Sequence, residues 1–429
     1  MTKDGKIKIL VIPSDHFGCG FWRSKNPHSA LALKMPEQFS VDISYDIPTT
    51  GMLEDFYKQY DIVHIHKKLD DEAEIIRFLK HCGCMVIVDI DDAQKLDKEH
   101  PMFLSSVNDK WYIPINKNLA AANAVTTTTK IFADEIKKEL NKNVFVFPNA
   151  LPEGEGQFVL HKQRETNRIR FGIVCGSSHY HDLLILQDMV EKMPEDYLKK
   201  IQFVLCGFDV HGTKTIYKAP EDEGGEPIVE RIAIKPEESV WNEFERILTN
   251  NYRTISEEHK KWLLEYHADT LDPFIDEPYR RFWTIPIDNY YQQYNHIDVL
   301  MAPLFENHFD KVKSNLKFVE AAFAHIPVIA TNFGPYSYDR EPVIKKGGYI
   351  DKNGDCFVVD TIKNKKDWLR TVKWIVDNPD SIQWAGENLY QHYRNKYSLN
   401  AVTDERAKVY SEILSNKKKY YKDPKWQQK

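Results

Sequence analysis

The stretch that decides the fold is KVKSNLKFVEAAFAHIPVIATNFGPY, Lys311 to Tyr336. A charged and amide-bearing run leads into small apolar residues, then a proline, a short aliphatic strand and a Gly-Pro turn. Small residues let a helix lie close to a sheet, and the β-branched residues after Pro327 favour a strand. A helix beginning near Ser314 or Asn315 points its free N–H groups at the strand-end cleft, where they suit a diphosphate. Lys317 can add a charge-assisted contact to that group. Glu320, near the same helix face, can accept hydrogen bonds from a ribose or sugar hydroxyl. The plainer alternative keeps Ser314 and Asn315 as caps and Lys317 with Glu320 as a surface i,i+3 pair. The turn after the strand is either structural or sets backbone amides around Gly334 beside a sugar.

Working outward, aliphatic runs alternate with helical patterns on both sides. KIKILVIP, DIVHIH, CMVIVDI, AVTTTT and VFVFPN form one series, with helix candidates near Pro27 to Met35 and Asp70 to His81. IRFGIVCG, IQFVLCG, DVLMAP, PVIAT and CFVVD form a second, with a helix candidate at 182–192. Strands separated by helix-length segments predict parallel α/β sheets with covered faces. The expected division is 1–155 and 156–395, with an insertion near 207–283, followed by a C-terminal helix and basic tail at 396–429 placed to pack back on the first domain. Trp368, Trp374 and Trp384 are expected to pack helices rather than form a binding ladder.

With 58 basic and 64 acidic residues in 429, the formal charge of -6 gives no global electrostatic case for nucleic acid or an anionic membrane. The first apolar run is too short to span a bilayer, so the simple expectation is a cytoplasmic protein without integral membrane association. The six cysteines form no dense framework, and Cys82 with Cys84 lacks a second close pair for zinc. No metal is expected.

Three further strand-end segments carry candidate chemistry. In CGSSHYHDL, from Cys175, Gly176 permits a tight approach, Ser177 and Ser178 can bind phosphate oxygens, and His179 or His181 supplies a donor that Asp182 can orient. In SDHFGCGFWR, from Ser14, Gly18 and Gly20 release the chain into a loop where Trp22 and Arg23 can stack on or pair with an acceptor. In VDIDDAQ, Asp89, Asp91 and Asp92 can bind a metal, activate a hydroxyl or simply cap a helix. His64 and His66 share one strand face and can line the cleft or form a structural pair.

KSNLKFVEAAFAHIPVIATNFGPY, supported by GIVCGSSHYHDLL and SDHFGCGFWR, resembles the nucleotide-sugar-binding region of group 1 retaining GT-B glycosyltransferases (GT4-like). The likeness runs coarsely from about residue 6 to about residue 395 and is poor at 207–283. It implies two Rossmann-like domains facing a cleft, the second holding the donor and the first presenting the acceptor. It also implies sugar transfer from a nucleotide sugar, UDP- or GDP-linked, to an acceptor hydroxyl, with no required cofactor. Glu320 matches the second glutamate of the family's E-x7-E pattern and would bind the ribose, whereas the first falls on Val312. Lys317 looks like the phosphate-binding basic residue, and Gly176 to His179 resemble the diphosphate loop. On this footing His179, Lys317, Asp89 and Asp91 are the expected catalytic residues and Asp92 an acceptor-side group. Acceptors in view are a glycan intermediate and a hydroxymethylated DNA base. The alternatives are a noncatalytic nucleotide-sugar-binding scaffold and a nucleotide-sugar epimerase.

Overall fold

Strands buried on both faces read as continuous aliphatic runs, because helices cover each side of a parallel sheet. The chain follows that rule twice. In the computed structural model, residues 5–48, 51, 53–68, 70–98, 100, 102–162, 166–218, 228–235, 238–249, 278–343, 345–346, 349–360 and 366–420 are described. The first sheet joins β1 (Ile7–Ile12), β2 (Phe39–Ile43), β3 (Ile62–His66), β4 (Met85–Ile90), β5 (Ala124–Thr127) and β6 (Val144–Val146) in the order β2-β1-β3-β4-β5-β6. All its pairings are parallel, and β3, β4 and β5 are buried throughout.

The second sheet is built from β7 (Ile169–Val174), β8 (Ile201–Phe208), β11 (Tyr279–Trp283), β12 (Val299–Ala302), β13 (Val328–Thr331) and β16 (Cys356–Val359). Between β8 and β11 lies a hairpin of β9 (Thr213–Lys218) and β10 (Ile228–Ala233), and β14 (Lys345–Lys346) pairs with β15 (Tyr349–Ile350). The large sheet is ordered β11-β8-β7-β12-β13-β16, again all parallel. Counted within its own half this is the doubly wound 3-2-1-4-5-6 order, and strand direction of travel reverses between β7 and β12. In the first sheet the reversal falls between β1 and β3. Such reversals leave a crevice outside the carboxyl ends of the strands.

The helix expected over 182–192 is broken into Tyr180–Leu184 and Gln187–Glu191. The interruption at 207–283 contains the β9–β10 hairpin and the helix Val240–Thr249, while 219–227 and 250–277 of it, like 421–429 of the basic tail, lie outside the described residues. Trp368 is fully buried in the second-domain core, and Trp374 and Trp384 pack against it.

The two halves exchange side chains. Trp22 of the first half packs with Phe158, Tyr291 and Leu304 of the second. In return Phe309 and Val312, on the short helix His308–Val312, join the first-half core with Ile12, Val88 and Phe132. The long helix Asp380–Tyr397 stays with the second half, and Leu399–Ser415 crosses back, adding Val402, Tyr410 and Ile413 to the core around Ile9, Leu31 and Ile62. No helix among the described residues is long and apolar enough to cross a membrane.

Candidate functional site

Loops leaving the carboxyl ends of β1, β4, β7, β8 and β11 converge on one cavity of about 780 Å³ between the halves. Its first-half wall carries Phe17, Gly18, Cys19, Trp22, Arg23, Asp91 and Asp92, and its second-half wall carries Gly176, Ser178, His179, Lys313, Lys317 and Tyr336. Gly207, Thr284, Ile285, Pro286, Ile287, Tyr290 and Gln293 also line it.

On the first wall the loop after β1 folds onto Asp15, whose Oδ1 accepts from the N–H groups of Phe17 at 2.8 Å and Gly20 at 3.1 Å. Gly20 is required there, since a Cβ would sit 2.0 Å from the Asp15 carbonyl oxygen. Arg23 is almost wholly buried and committed. Its Nε and Nη2 donate to Asp89 at 2.9 and 2.7 Å, and its Nη1 donates to the Phe147 carbonyl at 2.7 Å and to Asn149 Oδ1 at 3.1 Å. Thr126 also donates to Asp89 at 2.5 Å. Burial would raise the Asp89 pKa, but Arg23 reverses that and holds the carboxylate below its usual range. Asp89 is therefore placed behind the wall as the partner of Arg23, and the expected acceptor contact of Arg23 is already taken by this pair.

Asp91 reaches the cavity beside Lys67, whose ammonium donates at 2.8 Å, with His66 Nε2 3.6 Å away. Against the effect of burial, Lys67 and His66 hold Asp91 well below the ordinary carboxylate range. Asp92 has the opposite shift, raised by burial and by Asp91. Cys19, Asp91 and Asp92 bring ligand atoms within 4.8 Å of one another. The Lys67 ammonium already stands at Asp91, and Asp91 followed by burial pushes the Cys19 thiol well up, both unfavourable to a cation site. His64 lies away from the cavity, buried against His28 with ring centroids 4.4 Å apart.

On the second wall Gly176, Ser178 and His179 line the cavity at the end of β7, while Ser177 does not. His179 Nδ1 and Asp182 Oδ2 are 2.6 Å apart, and Asp182 Oδ1 accepts from the Phe305 N–H at 2.6 Å, so the imidazole is oriented by a fixed carboxylate. The decisive helix runs Leu316–Phe323 and opens onto the cavity through Ser314, Leu316 and Lys317. Lys317 Nζ donates to Tyr290 Oη at 2.7 Å and Glu320 Oε2 at 2.8 Å. Burial alone would lower the Lys317 pKa, but Glu320 and Tyr290 more than reverse this, so the ammonium stays charged.

Glu320 is fully buried and does not itself line the cavity. Its Oε2 also accepts from Tyr294 at 2.6 Å, whereas its Oε1 has no hydrogen-bond partner among the described residues. Asn315 is buried behind the helix start near Tyr393 and Tyr397. Gly334 adopts φ +52 and seats the His308–Val312 helix, for a Cβ there would meet Asp310 O at 2.9 Å. Neither Asn315 nor Gly334 lines the cavity, because each serves packing just behind it. Val312 is buried in the first-half core and turned away from the cleft.

Sequence reasoning passed over Phe17, Lys313, Tyr290, Gln293 and Tyr336. Lys313 had a signal, lying one residue before Ser314 in the quoted stretch; it stands 2.7 Å from Asp310 Oδ1. Tyr290 and Gln293 sit on a 3-10 turn, Tyr290–His296, in a polar aromatic run with no strand or motif to mark it.

No protein-family model matches the chain. No curated protein matches it either. Among solved structures, the Anabaena protein HepE in complex with UDP-glucose aligns over 95% of this chain and 100% of its own at 10% identity, TM-score 0.53. An α-glucosyltransferase in complex with UDP and a 13-mer DNA containing an HMU base gives the same coverages and identity, TM-score 0.54. A UDP-forming α,α-trehalose-phosphate synthase from Burkholderia xenovorans aligns over 97% of this chain and 99% of its own at 10% identity, TM-score 0.52. Two doubly wound sheets, their carboxyl ends facing one cleft, and near-complete alignment to these structures establish that the chain has the GT-B fold.

Proposed function

We propose that this protein transfers a glycosyl group from a nucleotide-sugar donor to an acceptor hydroxyl, with retention at the anomeric carbon. One observation carries the reading: a buried carboxylate with an unpartnered oxygen, Glu320 Oε1, stands just behind the cleft wall, beside a permanently charged Lys317 that lines it. An acceptor oxygen next to a cation is what a ribose followed by a diphosphate needs. UDP or UDP-glucose occupies the HepE and α-glucosyltransferase structures, which favours a UDP- or GDP-linked donor here.

In this reading Lys317, the loop Gly176 to His179 and Lys313 stabilise charge moving onto the leaving diphosphate as the sugar becomes cation-like. The first wall holds the acceptor, with Asp92 and Phe17 facing it, and closure of the two halves around the substrates would limit donor hydrolysis. A glycan intermediate is the default acceptor; a hydroxymethylated base gains support from the α-glucosyltransferase bound to HMU-containing DNA. The noncatalytic binding reading is kept for one reason: Val312, where the group 1 pattern has its first glutamate, is turned into the other domain.

The test is a mass-spectrometric screen of UDP-, GDP-, ADP- and CMP-sugars with wild type and Glu320→Gln, reading donor binding and breakdown. Donor-specific turnover weakened in the variant supports transfer. Saturable binding without turnover across candidate acceptors supports the scaffold, and free conversion of the donor supports an epimerase.

A further inference from the structure

We propose that the first half holds a small monovalent anion of chloride size, bound between Arg406 on the returning helix Leu399–Ser415 and His64 on β3. The site stands apart from the cleft and does not depend on the nucleotide-sugar reading. Arg406 is only 1% exposed. Its Nη1 donates to Tyr410 Oη at 3.1 Å and its Cζ lies 4.3 Å from the Phe147 ring centroid, but its Nε has no hydrogen-bond partner among the described residues. No acid among them forms an ion pair with it, although buried charges are ordinarily paired.

His28 joins the groups around this charge. Burial, first of all, keeps both His28 and His64 neutral. The His28 Nδ1 lies 2.7 Å from the Ser24 carbonyl, which can only accept, so Nδ1 carries the hydrogen and Nε2 accepts from Tyr410 Oη at 2.8 Å. Tyr410, its hydrogen given to His28, accepts from Arg406. The chain is fully used and leaves Arg406 Nε no acceptor. His64 packs on His28 with ring centroids 4.4 Å apart, and neither of its ring nitrogens has a partner in another described residue. Ser24 Oγ, equally buried, has none either. Asp89, the acid whose charge is felt at both His28 and Tyr410, is spent on Arg23 and Thr126.

All three unpartnered groups can donate: a guanidinium N–H that never deprotonates, a ring N–H and a hydroxyl. Arg406 rules out a cation. A water would satisfy the hydrogen bonds yet leave the guanidinium charge without a counter-charge, which a monovalent anion supplies. Arg23 is already matched by Asp89, so one fixed positive charge remains and a divalent oxyanion would exceed it. Such an anion ties the helix returning from the second half to an interior strand of the first sheet.

The decisive experiment grows crystals of the full chain in sodium bromide and collects anomalous diffraction at the bromine edge. A bromide peak touching Arg406 Nε and a His64 ring nitrogen is expected; the absence of anomalous signal there, with or without a water, overturns the proposal. In solution, thermal melting is followed as chloride replaces gluconate at constant ionic strength. Wild type should gain about 2 °C per tenfold rise in chloride once the site begins to fill, and Arg406→Met should not respond. An equal response in both proteins means an adventitious ion only and overturns it. A bromide peak with a wild-type melt indifferent to chloride means binding at crystal concentration only, which overturns it as well. The bromide map and the wild-type melt decide even if Arg406→Met does not fold.

Discussion

On the first-half wall Arg23 spends its guanidinium on Asp89, Phe147 and Asn149, and Asp91 is held by Lys67; in the second half Gln293 on the wall and Glu320 just behind it each keep an oxygen without a donor. The contrast separates groups that hold the cleft's shape from groups that await something in it. A buried pair is costly to break because the remaining charge is stranded. An unpaired buried acceptor, by contrast, is a standing cost that a ligand can relieve.

The comparison breaks most sharply at Val312, which belongs to the second half by chain and to the first-half core by packing. Val312→Glu places a carboxyl in that core. With a pKa raised by about three units it destabilises by about 4 kcal/mol, read by urea denaturation, and does not raise donor affinity. Arg23→Met strands Asp89 and lowers stability by about 3 kcal/mol in the same measurement. Retention of wild-type stability there shows that the first wall is not held by this pair.

On the second wall the effect moves from stability to binding. Lys317→Met is expected to weaken nucleoside diphosphate binding by about a hundredfold and Glu320→Gln by about tenfold, since contacts to charged groups are each worth about 1.5–3 kcal/mol. Calorimetry on the folded variants checks the order; equal effects would mean the two residues act as one structural unit.

A smaller effect follows from His28 and His64, both held well below the usual imidazole range, first by burial and then by neighbouring positive charge. In the unfolded chain each takes a proton near its ordinary pKa of about 6.5, while in the folded chain neither does. Stability is therefore flat above about pH 6.5 on their account and falls below it, by up to about 1.4 kcal/mol per pH unit for each. Denaturation at stepped pH checks the slope, which His64→Phe should roughly halve. The smallest change is at Phe17, 75% exposed on the first wall. Phe17→Ala should alter stability by less than about 0.5 kcal/mol while raising KM for the acceptor and leaving donor binding unchanged, as steady-state assays would show.

Most strands of the two sheets were legible in the chain because each is largely an aliphatic run with a helix-length interval behind it; the edge strands β2 (FSVDI) and β11 (YRRFW) were not, since polar and aromatic residues hide the run. The convergence of the loops at Gly18, Asp91 and Gly176 was legible too, since each follows a strand within a few residues; Lys317 comes after the extra helix His308–Val312 and was marked by its motif instead. The division of labour within the site was not legible. Arg23 meets Asp89 across 66 residues of chain, and no local spacing marks that pair. Asn315 and Gly334 look like ligand contacts from their motif, yet the first is buried behind the helix start beside two tyrosines and the second serves a close backbone approach. Gln293 carries no local signal at all. Its significance lies in the absence of a partner for one atom, which only the folded arrangement displays.

The return of the Leu399–Ser415 helix to the first half sets an order of assembly. Tyr410 donates to or accepts from His28 at 2.8 Å, and Asn123 reaches the Tyr420 carbonyl at 3.1 Å. A ribosome that has finished the first six strands has therefore made a sheet one of whose covering helices is still about 250 residues from synthesis. The half translated first is completed last, and a nascent chain stalled before residue 399 would carry an open apolar face.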